Sequence, residues 1–244
     1  MAPPDESSIR LQGPHVLVLV GRPVVDPQEF TSGIFEMDQA FALRRFLPQV
    51  GVVTGASVPR HFLFRAYPPG REETVQGVTV VRRHGRRPYP MRGPLIRAAT
   101  RSTIGRALRA FDAYVEKFGR PDLLHAHNAI SAGLLGLRIR EEHGIPLVVT
   151  EHSSLWSRRS VAQSEREWLR ESVAAADSFI CVSGYLRQQV LRHLDGLGNN
   201  QPSNIRVIPN VVHDRFLTRL ASRRYPSPFT FVTVGNLLPV KAQD

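Results

Sequence analysis

The chain has 244 residues, 42% of them apolar and 22% charged; this is the balance of an ordinary globular protein and excludes collagen-like and wholly disordered chains. A chain of this length buries roughly 70% of its unfolded surface on folding, and it holds one cysteine, Cys181, so small disulfide scaffolds and cysteine-rich zinc modules are excluded. The net charge is +11, from 32 basic and 21 acidic residues, and every basic residue except Lys117 and Lys241 is arginine. An arginine surplus suits phosphate groups, but it also follows from GC-rich codons, so it suggests a polyanionic partner without identifying one.

Residues 1–14 are polar and acidic, unlike a signal peptide. Val16 to Val20 is a buried-strand pattern, apolar on both faces and far too short to span a bilayer. A Pro- and Gly-containing loop leads to Ile34–Leu43, which is patterned as a helix. Val50–Thr54 and Val78–Val81 read as strands, and Leu95–Phe118 as a long helix in which Ile96, Ile104, Leu108, Phe111 and Val115 recur on one face. Asp122–Ala126 follows as a strand and Ile130–His143 as a helix, with Gly144 placed for a left-handed cap. The chain then alternates strand Pro146–Thr150, helix Ser160–Ala176, strand Ser178–Val182, helix Tyr185–Leu194, a polar loop over 196–203 and strand Ile205–Ile208. This alternation predicts a doubly wound, Rossmann-like parallel sheet with helices on both faces.

The expected organisation is a polar tail over 1–14, an α/β domain over 15–218, a linker over 219–228 and the first strand and turn of a second domain over 229–244. Residues 229–234 read as a fresh buried strand, and a lone strand leaves its backbone groups unpaired. The expectation is therefore a truncated chain.

The segment from Thr74 to Phe111 contains nine arginines and no acidic residue. Arg97 and Arg101 fall on one helical face. The segment reads either as a solvated basic face or as a contact for an anionic acceptor or membrane surface.

Two short motifs carry the chemistry. His125-Ala-His127-Asn128 and Thr150-Glu151-His152 both fall at the carboxyl ends of strands, where open α/β sheets bind ligands. Residues two apart in a strand face the same side, so His125 and His127 share a face, and His152 joins them from the next strand. His-x-His with a third histidine is also a zinc-ligand pattern, but no further Asp or His cluster completes such a site, and no metal is expected. There is no GxGxxG, P-loop or GxSxG motif. Gly21 and Gly33 are the candidate turn glycines after the first strand; Gly33, just before a helix, suits a backbone amide facing an anion. Cys181 lies inside a buried strand and reads as inert packing.

Taken in order, these residues resemble family 4 of the retaining glycosyltransferases. The matching segments are Pro121–His127, Gly144-Ile-Pro146, Thr150-Glu-His152, Ala176–Ser183, Ile208-Pro-Asn210 with Phe216, and Phe231–Lys241, with a looser match over Ser32–Leu43. The resemblance implies a GT-B fold, two Rossmann-like domains across a cleft, of which this chain is the first domain with the start of the second. It implies transfer of a sugar from a nucleotide-diphosphate donor to an acceptor with retained anomeric configuration, with the nucleotide-sugar as substrate and neither metal nor other cofactor. By resemblance His127 and His152 line the cleft near the transferred sugar as catalytic residues, and Gly33 approaches the donor phosphate. Asn128 joins them as a substrate-binding residue, and Asn236 and Lys241 match positions that contact the diphosphate. Position 236 is Asn where Arg is common, position 242 is Ala where Gly is usual, and Val211-Val212-His213 replaces Gly-Val-Asp. The family's E-x7-E motif would lie beyond residue 244, so the isolated chain is expected to be inactive. The expected acceptor is lipid-linked or a polysaccharide, and the expected location is the cytoplasm, with peripheral contact at the inner face of the membrane if the arginine segment engages it. The alternative from charge alone is a nucleic-acid-binding or non-catalytic remnant protein, but zinc-finger spacing, RNA-recognition aromatics and a helix-turn-helix are all missing from the sequence, and no nucleic-acid partner is expected.

Overall fold

A computed structural model describes residues 13–21, 33–58, 70–86, 95–158, 160–194, 202–212 and 217. The expected linker over 219–228, the strand over 229–234 and the donor-side residues Asn236 and Lys241 lie outside the described residues, as does most of the loop over 196–203. The chain divides into two compact units, Met1–Val211 and Val212–Asp244. The sheet and its helices belong to the first.

Strand β1 (His15–Val20) is followed by helix α1 (Ile34–Arg44) and strand β2 (Gln49–Thr54). Two-residue β3 (Ser57–Val58), β4 (Arg71–Val75), β5 (Val78–Arg82) and two-residue β6 (Gly85–Arg86) come next, then the long helix α2 (Leu95–Phe118). The rest alternates: β7 (Leu123–His127), α3 (Leu134–His143), β8 (Leu147–Glu151), α4 (Gln163–Ala175), β9 (Ser178–Cys181), α5 (Gly184–Arg192) and β10 (Ile205–Val207). The main sheet runs β10-β9-β8-β7-β1-β2-β5-β4. Every neighbouring pair is parallel except β4–β5. The doubly wound fold is therefore the one the alternation predicts.

Strand order reverses at β1. From β1 the chain first moves outward through β2 and β5, then returns through α2 to β7 and proceeds to β10. Right-handed crossovers place helices of the two directions on opposite faces, and the core divides accordingly. Met37 and Ala40 of α1 pack with Val18, Val20, Val50, Val52, Val78 and Val80 on one face. The other face carries the larger core, in which α2 to α5 cover Leu17, Leu19, Val53, Leu124, Ala126, Leu147, Val149, Phe179 and Cys181. Alternate residues of β1 serve the two cores, which is why its sequence is apolar throughout.

Element ends follow local chemistry. Gly33 caps the start of α1 with φ 80°, and Gly144 ends α3 with φ 64°, as its position predicts. Ser183 accepts from the Leu186 N–H at 3.1 Å to start α5. Strand β4 is not legible in the sequence: Arg-Glu-Glu-Thr-Val has no apolar alternation. It forms because Gln76 and Gly77 both take positive φ (49° and 78°) and fold it back on β5, as a two-residue type I′ hairpin turn requires.

Candidate functional site

The switch point lies between β1 and β7, and their carboxyl ends open on a crevice of the kind that binds ligands in α/β sheets. Register places Val20 of β1 beside His127 of β7, and His127 beside Thr150 of β8. Gly21, His127, Asn128, Ile130, Ser131, Glu151, Ser153, Leu155 and Trp156 enclose a cavity of about 170 Å³ there.

The expected convergence of histidines occurs. The His125 and His127 rings lie 4.6 Å apart between centroids, and His127 and His152 lie 5.0 Å apart and nearly parallel at 10°. His127 Nδ1 and His152 Nε2 share a hydrogen bond of 2.8 Å. His125 Nε2 is 2.8 Å from Thr150 Oγ1 and is satisfied within the sheet, which makes it a packing histidine. His127 differs: the residue is 0% exposed, and its Nε2 is buried with no hydrogen-bond partner. Buried polar atoms nearly always have partners, and an orphan at a cavity marks a place for a ligand. Burial, and secondarily His125 and His152, holds the His127 pKa well below 6.5, and burial brings His125 down to about 4. Both imidazoles are therefore neutral at physiological pH. Among the described residues no group of three or more His, Cys, Asp or Glu is arranged to hold a metal ion.

The sequence predicts a helix from Ile130, but α3 begins at Leu134. Residues Ala129–Gly133 instead form a single wide turn closed by the Gly133 N–H to the Asn128 carbonyl at 3.0 Å. Asn128 (φ 71°, ψ 136°) and Ser131 (φ 68°, ψ −71°) stand in backbone regions that non-glycine residues rarely enter. Gly21 makes room for this turn, because a Cβ there would sit 2.8 Å from Ser131 Cβ. Asn128 also binds across to β8: its N–H donates to the Thr150 carbonyl at 2.7 Å, and its Oδ1 accepts from the His152 N–H at 3.3 Å. Glu151, Ser131 and Trp156 line the cavity, and sequence reasoning assigns none of them a role. A carboxylate beside His152 and an indole four residues after it were the available signals.

Residues 40–216, more than half of the chain, match the model of Glycosyltransferase Family 4. The chain belongs to glycosyltransferase family 4. No curated protein sequence matches this family member. Similar solved structures include a UDP-N-acetylglucosamine 2-epimerase, 14% identical with a TM-score of 0.45, covering 81% of this chain and 48% of that one. The UDP-GlcNAc 2-epimerase of Methanocaldococcus jannaschii is 11% identical with a TM-score of 0.44, at 80% and 45% coverage. A UDP-glucosyltransferase from Polygonum tinctorium is 15% identical with a TM-score of 0.47, at 87% and 55% coverage. The chain spans about half the length of these structures.

The other residues expected at the site from the sequence are placed separately in this glycosyltransferase-family chain. Gly33 is buried at the start of α1, on the helix that follows β1 out of the switch point. Arg97 and Arg101 lie elsewhere in the fold, lining a hollow of about 460 Å³ that α2, α3 and α4 enclose with Leu134, Arg138, Trp168 and Glu171. Arg97 pairs with Glu167 at 2.9 Å and lies over the Trp168 ring at 5.9 Å. Other arginines of the acid-free segment are also engaged: Arg82 pairs with Glu73, and Arg106 donates to the Gly55 carbonyl at 3.0 Å. Cys181 is buried and its thiol pKa is pushed up to about 12, by burial first, which suits packing rather than nucleophilic use. Among the described residues no helix is long and apolar enough to cross a membrane.

Proposed function

We propose that the protein transfers a sugar from a nucleotide-diphosphate donor to an acceptor with retention of anomeric configuration, using no metal or other cofactor. The observation that carries this reading is the unpartnered, buried Nε2 of neutral His127 at a cavity on the switch point of a family 4 fold. A neutral imidazole offers one donor or acceptor to a sugar hydroxyl. His152, hydrogen-bonded to it, fixes the ring and shares the catalytic role, and Asn128 joins them in holding the sugar. Gly33 presents the start of α1 to the donor phosphate, where helix N-termini favour anions. Lys241, with Asn236, faces the diphosphate and stabilises the charge that builds on the leaving group, the task cationic donors perform best. Residues 219–228 serve as a linker between the acceptor-side domain over 15–218 and a donor-binding domain that begins at 229. The acceptor is lipid-linked or a polysaccharide, met in the cytoplasm, with Arg97 and Arg101 bringing the protein to an anionic surface.

The test uses the protein expressed from its complete gene. Acceptor-dependent release of a nucleoside diphosphate is measured against a panel of nucleotide-sugars, and the product's anomeric configuration is read by NMR. Release with an α-linked product from an α-linked donor supports the reading. No release with any donor, or an inverted product, refutes it. H127A should lower turnover by about 100-fold or more with its thermal midpoint kept, because the group lost acts at the reacting sugar.

A further inference from the structure

Among the described residues, Glu151 is the one buried carboxylate that lines the cavity, and the proposed reaction does not use it. It is 1% exposed. Its two oxygens are each spoken for by backbone. Oε2 accepts from the Ala129 N–H at 2.9 Å, and Oε1 accepts from the Ser153 N–H at 2.6 Å. Ala129 belongs to the loop after β7 and Ser153 to the loop after β8, so one side chain joins the loop that carries Asn128 to the loop that carries His152, beside His127 at the end of β7. Burial raises the carboxyl's pKa, and these N–H donors oppose that rise. With both oxygens accepting, the ionised form fits the contacts that are present, and such charge-assisted bonds are the strong ones.

The segment it grips is the strained one. Ala129 lies between Asn128 and Ser131, both at positive φ. Backbone held in such regions persists only where its surroundings over-determine it. Contacts around the turn include Glu151 on the Ala129 N–H, the Ser172 hydroxyl donating to the Ala129 carbonyl at 2.7 Å, the bonds of Asn128 to Thr150, His152 and Gly133, and Gly21, where a Cβ would press on Ser131.

We propose that Glu151 is a positioning residue, whose buried carboxylate ties the strained turn at 128–131 to the loop after β8 and so sets where His127 and Asn128 face the cavity. Its kinetic consequence rests on the transferase reading; its structural consequence does not. In E151Q the amide nitrogen of the new side chain faces one of the two backbone N–H groups and cannot accept from it. Amide exchange at Ala129 or Ser153, or both, should then speed up about tenfold or more, while exchange at Val18 and Leu19 in β1 stays unchanged. The Nε2 signal of His127 in long-range proton–nitrogen NMR should move. V149A, which removes neighbouring core volume, should reproduce neither effect. In the protein from the complete gene, E151Q should lower kcat about tenfold with KM little altered, and E151D, which keeps both acceptor oxygens, should recover part of it.

Unchanged exchange at both amides together with an unmoved His127 signal in E151Q overturns the proposal. If E151Q does not fold, E151D carries the test: its shorter carboxylate draws back from the two N–H groups, so faster exchange at Ala129 or Ser153 with a moved His127 signal supports the proposal, and unchanged exchange with an unmoved signal overturns it. A wild-type protein that transfers no sugar while E151Q loosens the turn refutes the transferase reading and leaves the role of Glu151 standing.

Discussion

Acidification should unfold this protein earlier than its carboxylates alone would dictate, because burial lowers the pKa of His15, His84, His125 and His127 together, and the share of His125 can be sized. Its pKa is brought from 6.5 down to about 4 by burial, with the charge of His152 acting in the same direction. The unfolded chain therefore takes up a proton below about pH 6.5, whereas the folded chain resists it until about pH 4. The corresponding stability is fully present above about pH 6.5 and is lost progressively as pH falls toward 4. At about pH 5 the loss from His125 alone is roughly 2 kcal/mol. His84, also lowered to about 4 by burial and then by Arg82 and Arg106, adds a contribution of the same sign. Glu151 acts the other way, because burial raises its pKa and protonation relieves that cost. Urea unfolding followed by circular dichroism at about pH 7.5 and about pH 5 measures the sum, and H125N isolates the histidine. The wild type should lose stability over this interval, and H125N should lose roughly 2 kcal/mol less. Equal losses in the two proteins would refute the reasoning.

Three further outcomes are expected. G51A should lower stability by about 1–3 kcal/mol through overpacking, because a Cβ there would lie 2.3 Å from the hydroxyl of the fully buried Tyr114; an unchanged thermal midpoint would contradict this packing. The protein should sediment with anionic but not neutral liposomes at low salt, and R97E/R101E should weaken that binding; equal binding to both liposome types would remove the arginine face from the account. Cys181 should resist thiol reagents in the native state, given a thiol pKa near 12, and react only on unfolding; rapid native labelling would show the strand to be accessible.

Most of the sheet was legible because its strands are buried on both faces and therefore read as unbroken apolar runs. The helix over 95–118 was legible to its ends because its apolar face recurs over many turns. What escaped the sequence was governed by contacts between elements. Nothing in Arg71–Val75 announces a strand; the Gln76-Gly77 turn and pairing with β5 impose one. The helical pattern of Ile130–His143 is genuine, but its first residues lie in a strained turn that begins at Ala129, where Glu151 and Ser172 bind the backbone. The acid-free arginine segment looked uncompensated because its carboxylate partners, Glu73 and Glu167, come from other elements. At the site, strand register made the grouping of His125, His127 and His152 readable. Which of them is satisfied internally and which keeps an unpartnered nitrogen on a residue that lines the cavity depends on Thr150 and on the turn after β7, and only the fold shows that.

The most direct test of the central claim follows the His127 ring in the protein from the complete gene while nucleotide-sugars are added. Long-range proton–nitrogen NMR should show a saturable shift of His127 Nε2 with the donor that supports turnover, and little change at His125. A donor that is turned over while His127 Nε2 stays unmoved would contradict the claim that this cavity receives the sugar.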